Sequence, residues 1–245
     1  MFDYIGVTLR AAGCTNSCRH CSIGASPPFG ELISLADAEW VVAQIRPHAK
    51  TFFLYATHEV TAHPDYVALW QLCGDATNDL EGDMRVISTN GWGIARSDTW
   101  EKDIDGLKEA GTRSVDLSFH GIGETHDWLV RRPGAYEDLL VTMRRMASRG
   151  IRILTQYFLD RRNMTDLPRM LKQVAQWSED IGQELRLNIE LPGYTVTDRL
   201  REFEAKLRPV PEDFEPVVSI LEERKLYQPL TQHTEAAWID RKSVV

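Results

Sequence analysis

Three of the chain's four cysteines fall within one short segment, CTNSCRHC, as Cys14, Cys18 and Cys21. Thiols spaced this closely close a disulfide, hold a single metal ion, or hold an iron–sulfur cluster. A disulfide leaves an odd thiol and needs an oxidising compartment. A structural zinc site wants four ligands, and here the fourth is His20, directly beside Cys21. Three thiolates on one loop suit a cluster whose fourth iron has no protein ligand, and an open coordination position invites chemistry on a bound molecule. Cys73 stands apart in the apolar helical stretch 66–73 and reads as a small buried hydrophobe. No cysteine follows it, so ligands for an auxiliary cluster are missing.

These residues need a scaffold to hold them. Short β-branched or apolar runs recur at 4–10, 51–55, 84–88, 114–119, 151–158 and 185–190. Several are nearly continuous in apolar character, as buried parallel strands are. Amphipathic stretches lie between them. Ser34 with Asp37 caps a stripe of Leu35, Ala38, Val41, Val42 and Ile45, which Pro47 stops. Tyr136, Leu139, Leu140, Met143 and Met146 form a second apolar face, closed by Gly150. Thr165 opens a third, with Leu167, Leu171, Val174 and Trp177 on one side. Such alternation with right-handed crossovers builds a parallel sheet covered by helices. A closed eight-unit barrel takes about 250 residues, and the C-terminal part of this chain does not supply two further units. The expected fold is therefore α/β: a partial (β/α)6 TIM-like barrel over residues 1–207. A C-terminal helical and irregular appendage over 208–245, with a helix at 216–226, is available as a cap over the opening. In such folds chemistry gathers at the carboxyl ends of the strands, and the cysteines follow the first strand directly.

Composition narrows the partners. With 245 residues, 43% hydrophobic and 26% charged, the chain has a globular balance and can bury a substantial core. A net charge of −8 argues against nucleic acid or an anionic membrane surface as the main partner. No apolar run is long enough to span a bilayer, and residues 1–13 lack the basic start and apolar stretch of a signal peptide. The expected location is cytoplasmic, where clustered thiols hold metals more often than they form disulfides.

Taken together, the motifs resemble the radical S-adenosylmethionine (radical SAM) superfamily. The C-x3-C-x2-C triplet follows strand one. FLYATHEVTAHPDY (53–66) resembles the family's Gly-Gly-Glu-Pro segment followed by His-Pro-Asp-aromatic. STNG (88–91) matches the end of strand three, and LSFHG (117–121) stands where many members carry Ser-Leu-Asp-Gly. ETHD (124–127) through PGAY (133–136) is similar to the helix that follows. The similarity covers residues 4–192 or so. It implies that Cys14, Cys18 and Cys21 bind a 4Fe–4S cluster whose open iron takes the amino and carboxylate groups of S-adenosylmethionine. Reductive cleavage then gives methionine and a 5′-deoxyadenosyl radical that abstracts a substrate hydrogen. The resemblance places His20 near the adenine, and Glu59 with Thr57 and His58 around the methionine ammonium. Asn90 and Ser118 become contacts to the ribose and the methionine carboxylate. Gln156 faces the same pocket, and His120 has a role toward substrate.

The departures are specific. Thr57 and His58 replace two glycines, so side chains stand near the cofactor's amino-acid end. His120 replaces an aspartate, exchanging an acceptor for a titratable donor and acceptor. Val130 stands where an arginine is common, and Arg131 points about 100° away on an ideal helix. His120, Gln156, Asn188 and the loop 191–194 are expected to frame the substrate, with Trp92 at the pocket mouth. His63 reads as part of a helix start, and His126 with Asp127 as a local cap. The leading functional expectation is a single-cluster radical SAM enzyme without an auxiliary-cluster domain. It would act on a peptide or small-molecule biosynthetic substrate and take electrons from a flavodoxin- or ferredoxin-type reductant. The alternatives are a glycyl-radical enzyme activase and a non-catalytic iron–sulfur or zinc scaffold.

Overall fold

Strands and helices alternate through residues 1–21, 24, 32–78, 86–190 and 198–223, which the computed structural model describes. The strands are β1 (Phe2–Arg10), β2 (Ala49–Thr57), β3 (Val86–Thr89), β4 (Ser114–Phe119), β5 (Arg152–Phe158) and β6 (Leu187–Glu190). All six fall where the apolar runs placed them. Every pairing is parallel: β1 with β2, and β3-β4-β5-β6 in sequence order. Among the described residues no ladder joins β2 to β3. The helices are α1 (Leu35–Ile45), α2 (Tyr66–Ala76), α3 (Trp92–Arg96), α4 (Trp100–Glu109), α5 (Glu124–Val130), α6 (Ala135–Ser148), α7 (Leu167–Ile181), α8 (Asp198–Leu207) and α9 (Val218–Glu223). None of them is long and apolar enough to cross a membrane.

Local chemistry sets the helix ends. The Ser34 hydroxyl accepts the Asp37 amide at 3.0 Å, satisfying one of the first-turn donors that α1 cannot pair internally. Pro47 falls in a 3-10 turn, Arg46–His48, that ends the segment. Leu139, Met143 and Met146 of α6 are fully buried, and Gly150 takes φ 77 just beyond the helix. α7 starts at Leu167, after a 3-10 turn (Met164–Asp166) that absorbs the expected opening residue Thr165. Pro168 fits the first turn because its missing N–H would be unpaired there anyway. The expected helix at 216–226 begins later, at Val218, because Pro216 lies inside a 3-10 stretch, Pro211–Val217. Phe214 and Val217 of that stretch belong to the same core as the strands, and Arg161 pairs with Asp213 at 2.6 Å. The loop 191–194 and residues 224–245 lie outside the described residues.

The two faces of the sheet differ, which the sequence reading of continuous apolar strands did not anticipate. Val115, Leu117 and Phe119 of β4 are fully buried, and the Phe119 ring lies 5.2 Å from Trp177 on α7. They face the helix layer, so Asp116 and Ser118 face the interior. Register sets Ser88 beside Asp116, Ser118 beside Gln156, and Gln156 beside Asn188. On the other sheet Thr8 pairs with Tyr55 and Arg10 with Thr57. Thr8, Arg10, Ser88 and Asn188 are exposed. A closed barrel fills this space with branched aliphatic side chains. Here it is an open polar bed.

Candidate active site

The cysteine loop is fixed by a helix end. Ser17 N–H donates to Val130 O at 3.0 Å and Arg19 N–H to Leu129 O at 2.9 Å. These are last-turn carbonyls of α5, which have no partner within the helix, so the loop satisfies them while the helix holds the loop. Arg132 adds a side-chain clamp. Its Nε donates to Asn16 Oδ1 at 2.6 Å, and its Nη1 pairs with Asp138, which Arg96 also meets at 2.8 Å. Asn16 and Asp138 are only 3% exposed, so this network works in a setting where an unpaired polar atom is costly. The arginine that reaches the loop is thus Arg132. Arg131 lies beyond the end of α5 with φ 56, so ideal-helix geometry does not describe it.

The sulfur of Cys14 receives two N–H donors, the Asn16 amide at 3.4 Å and Asn90 Nδ2 at 3.3 Å. Such donors stabilise thiolate charge and tune iron–sulfur sites. Without a metal, burial pushes the Cys14 thiol up to about 12, with the nearby Glu59 charge adding to the rise. Burial also pushes Cys18 up, and Cys14 and Cys21 beside it raise it further. Metal binding at these thiols must therefore release protons. Among the described residues no three His, Cys, Asp or Glu side chains converge to hold one metal ion. Three separate thiols, one of them already hydrogen-bonded as a cluster ligand would be, are a donor set that fits an iron–sulfur cluster. Cys73 is buried on α2 and pushed up to about 12 by desolvation, as a packed thiol should be.

Glu59 links three strand ends. Its amide donates to Gly13 O at 3.2 Å. Its Oε1 accepts from the hydroxyls of Thr61 at 2.5 Å and Thr89 at 2.7 Å, and its Oε2 from the Asn90 amide at 2.6 Å. The residue is 3% exposed, and burial raises its pKa against the opposing pull of these donors. The geometry thus gives Glu59 a positioning role, with little of its carboxylate left for an external ammonium. Asn90 has two jobs. Its Oδ1 accepts the Trp92 amide at 3.1 Å across Gly91, which takes φ 82, and its Nδ2 also reaches Thr15 Oγ1 at 2.9 Å. His58 holds φ 67, the left-handed backbone that a glycine adopts freely and a side-chain-bearing residue rarely does. Its Nδ1 is buried with no partner.

A histidine stack closes the carboxyl end of the sheet. His20 and His120 lie 4.3 Å apart between ring centroids, with Phe158 at 5.2 Å from His120 and Phe203 at 5.7 Å from His20. His126 Nδ1 accepts the His120 amide at 3.1 Å, which assigns His126 as neutral with its proton on Nε2. Burial lowers His126 to about 3 and His20 to about 4, and holds His120 well below the usual histidine range. Nδ1 of His20 and of His120 are buried without a protein partner. His63 is structural: Nε2 bonds Ile33 O at 2.9 Å and Nδ1 accepts the Asp65 amide at 2.9 Å, at the start of α2. Asp127 caps the start of α6 through the amides of Gly134 and Tyr136.

Ser118 and Gln156 are register neighbours, whereas Thr57 ends β2 beside Arg10. Among the described residues the side chains of all three make no hydrogen bond to the protein. Sequence reasoning missed Asp116, Tyr55, Ser88, Arg10 and Glu190, which share the inner face. Asp116 Oδ1 is buried with no partner, and burial followed by the Glu190 charge pushes its carboxyl up to about 6. The overlooked signal was the period-two polar pattern Ser114, Asp116, Ser118 inside a strand read as apolar. Asn16 and Arg132 were missed as well. Their contact spans 116 residues of sequence, and no local pattern announces it.

Known proteins are similar to this chain in sequence or in fold. The chain matches the Radical SAM superfamily over residues 9–174. A pre-heme d1 synthase of Dinoroseobacter shibae (strain DSM 16493 / NCIMB 14021 / DFL 12) is 28% identical over 160 residues, 65% of this chain and 37% of that protein. Streptococcus suis SuiB bound to S-adenosylmethionine superposes with a TM-score of 0.58 at 12% identity, covering 91% of this chain and 49% of that one. Coproporphyrinogen III oxidase (HemN) from Escherichia coli gives a TM-score of 0.53 at 13% identity, over 99% of this chain and 58% of that one. The chain therefore spans between 37% and 58% of these proteins. The solved structures share its fold, a partial barrel of parallel strands covered by helices. Its sequence match over residues 9–174 extends from the end of β1 through most of α7, and the chain belongs to the radical SAM superfamily.

Proposed function

We propose that the chain is a single-cluster radical SAM enzyme that abstracts hydrogen from a small-molecule or peptide substrate lying on the open polar bed. Cys14, Cys18 and Cys21 would hold the 4Fe–4S cluster, with S-adenosylmethionine beside it. The carrying observation is the Cys14 sulfur, which meets two N–H donors on a loop clamped to α5. When bound, the cluster and S-adenosylmethionine supply reductive carbon–sulfur cleavage and a hydrogen-abstracting radical. The protein's own part is placement. Glu59 fixes Asn90, and Asn90 fixes Cys14. The buried Nδ1 atoms of His20 and His120 have no protein partner and would hydrogen-bond a group that displaces the packing around them, while the aromatic stack excludes water. Ser118, Gln156, Asn188 and Asp116 present polar groups to the substrate from adjacent strands.

Two similar proteins are named for tetrapyrrole chemistry, a pre-heme d1 synthase and a coproporphyrinogen III oxidase. Others name peptides, the precursor SuiA bound to SuiB and the Cp18Cys peptide bound to anSMEcpe. Both substrate classes remain within the proposal. A flavodoxin- or ferredoxin-type protein in the cytoplasm would supply the electron. The test is anaerobic reconstitution of the full chain with iron and sulfide, then reductant and S-adenosylmethionine. Formation of 5′-deoxyadenosine and methionine is expected. If iron fails to bind at about four per chain and neither product forms, the reading is wrong.

A further inference from the structure

A second concave surface lies against the cysteine loop, and nothing in the radical chemistry uses it. It is a cleft of about 320 Å³. The loop contributes Arg19, the end of α5 contributes Trp128 and Arg131, and the segment after β5 contributes Arg162. α8 adds Lys206 and Phe203, together with the one carboxylate of the lining, Glu202. Among the described residues four cations thus face one anion, on a chain whose net charge is −8.

The cations are held in place. The guanidinium carbons of Arg19 and Arg162 each sit 3.9 Å from the centroid of the Trp128 ring. Stacked guanidiniums keep their N–H edges free for a carboxylate or phosphate, and their planar fork is already oriented. Arg19 Nε is fixed further by Trp128 O at 3.1 Å. Glu202 meets Lys206 at 3.4 Å, an exposed pair with little hold on either partner. Among the described residues that leaves three guanidiniums with no carboxylate within ion-pair distance in the cleft.

Size and lining decide what kind of anion fits. A volume near 320 Å³ is at the small end of ligand pockets, which suits a small molecule better than the face of a protein. Trp128, Phe203 and Leu207 supply an apolar wall, so the ligand needs an organic body as well as charge. Phe203 also packs 5.7 Å from His20, which sets the cleft one ring away from the cysteine loop's own histidine.

We propose that this cleft binds a small organic anion through carboxylate or phosphate groups, with Arg131 and Arg162 as its principal contacts. The proposal does not rest on the thiols carrying a cluster, because Arg131 and Arg162 lie outside the cysteine loop. The test is calorimetric titration of the reconstituted full chain with tricarballylate in one arm and inorganic phosphate in the other, at low salt. Saturable one-to-one binding is expected in at least one arm, and the tighter arm identifies the anionic group. Arg131→Gln and Arg162→Gln should each weaken that binding about tenfold, whereas Glu202→Gln should tighten it severalfold. A folding defect cannot mimic changes of opposite sign. Arg144→Gln, an exposed position on α6 outside the cleft, should leave binding unchanged. Absence of saturation in both arms, or equal weakening by Arg144→Gln, would overturn the proposal.

Discussion

Replacing Glu59 separates a positioning carboxylate from a cofactor-binding one. In Glu59→Ala the Asn90 amide loses its acceptor at 2.6 Å, whereas the hydroxyls of Thr61 and Thr89, 3.2 Å apart, can pair with each other. One unsatisfied, largely buried N–H costs about 1–3 kcal/mol. The missing Cγ methylene and the cavity left by the carboxylate add roughly 1–2 kcal/mol. The sum is about 3 kcal/mol, which for a chain of 245 residues corresponds to a Tm lower by roughly 6–12 °C. Glu59→Gln should behave differently. With its amide oxygen on the Asn90 N–H and its NH2 toward the two hydroxyls, every group keeps a partner. The substitution also removes a carboxylate that burial disfavours, so it should cost less than about 1 kcal/mol. Urea unfolding followed by circular dichroism measures both, and the labelling rate of Cys14 reports whether Asn90 still holds the loop. A loss under about 1 kcal/mol in Glu59→Ala, with unchanged Cys14 labelling, would refute the positioning role.

Three further outcomes follow from the same geometry. Arg132→Ala strands Asn16 Oδ1 and leaves Asp138 with only Arg96, whose side chain is 57% exposed, so urea denaturation should show a loss of about 2–4 kcal/mol. His58 sits at φ 67. In thermal scans, His58→Val should therefore lower stability by about 1–2 kcal/mol, and His58→Gly should be neutral or raise it by up to ~1 kcal/mol. His126 is depressed to about 3 in the fold from an ordinary 6.5. Below pH 6.5 the unfolded chain takes up a proton that the folded chain refuses, so stability falls as pH drops toward 3. The slope from this one residue approaches ~1.4 kcal/mol per pH unit. His126→Asn, which keeps an acceptor for the His120 amide, should remove that slope. Equal slopes in the two proteins between pH 6 and 5 would count against a buried neutral His126.

The alternation of apolar runs and amphipathic stripes carried most of the architecture, because parallel strands under a helix layer are hydrophobic wherever they meet that layer. Strands β4 and β5 lie within a residue of where their sequences put them. α8 was invisible for the opposite reason: among its described side chains only Phe203 is buried, and one apolar side chain makes no periodicity. The cysteine triplet was legible because its ligands are local in sequence. The residues that hold it are not. Arg132 meets Asn16 across 116 residues, and Asn90 meets Cys14 across 76. Glu59 was singled out by resemblance, but its partners Thr61, Thr89 and Asn90 come from two strand ends that only the folded sheet brings together. Asp116 lies in an alternating strand, and counting 114–119 among the β-branched or apolar runs passes over that alternation.

The central claim is that Cys14, Cys18 and Cys21 hold an open 4Fe–4S cluster that receives S-adenosylmethionine. Electron paramagnetic resonance of the reduced, reconstituted chain, recorded before and after adding S-adenosylmethionine, tests it most directly. The account predicts a 4Fe–4S signal that changes on addition, because the cofactor takes the open iron, and that disappears in Cys18→Ser. A spectrum indifferent to S-adenosylmethionine, or a protein that takes up zinc and no iron, would contradict it.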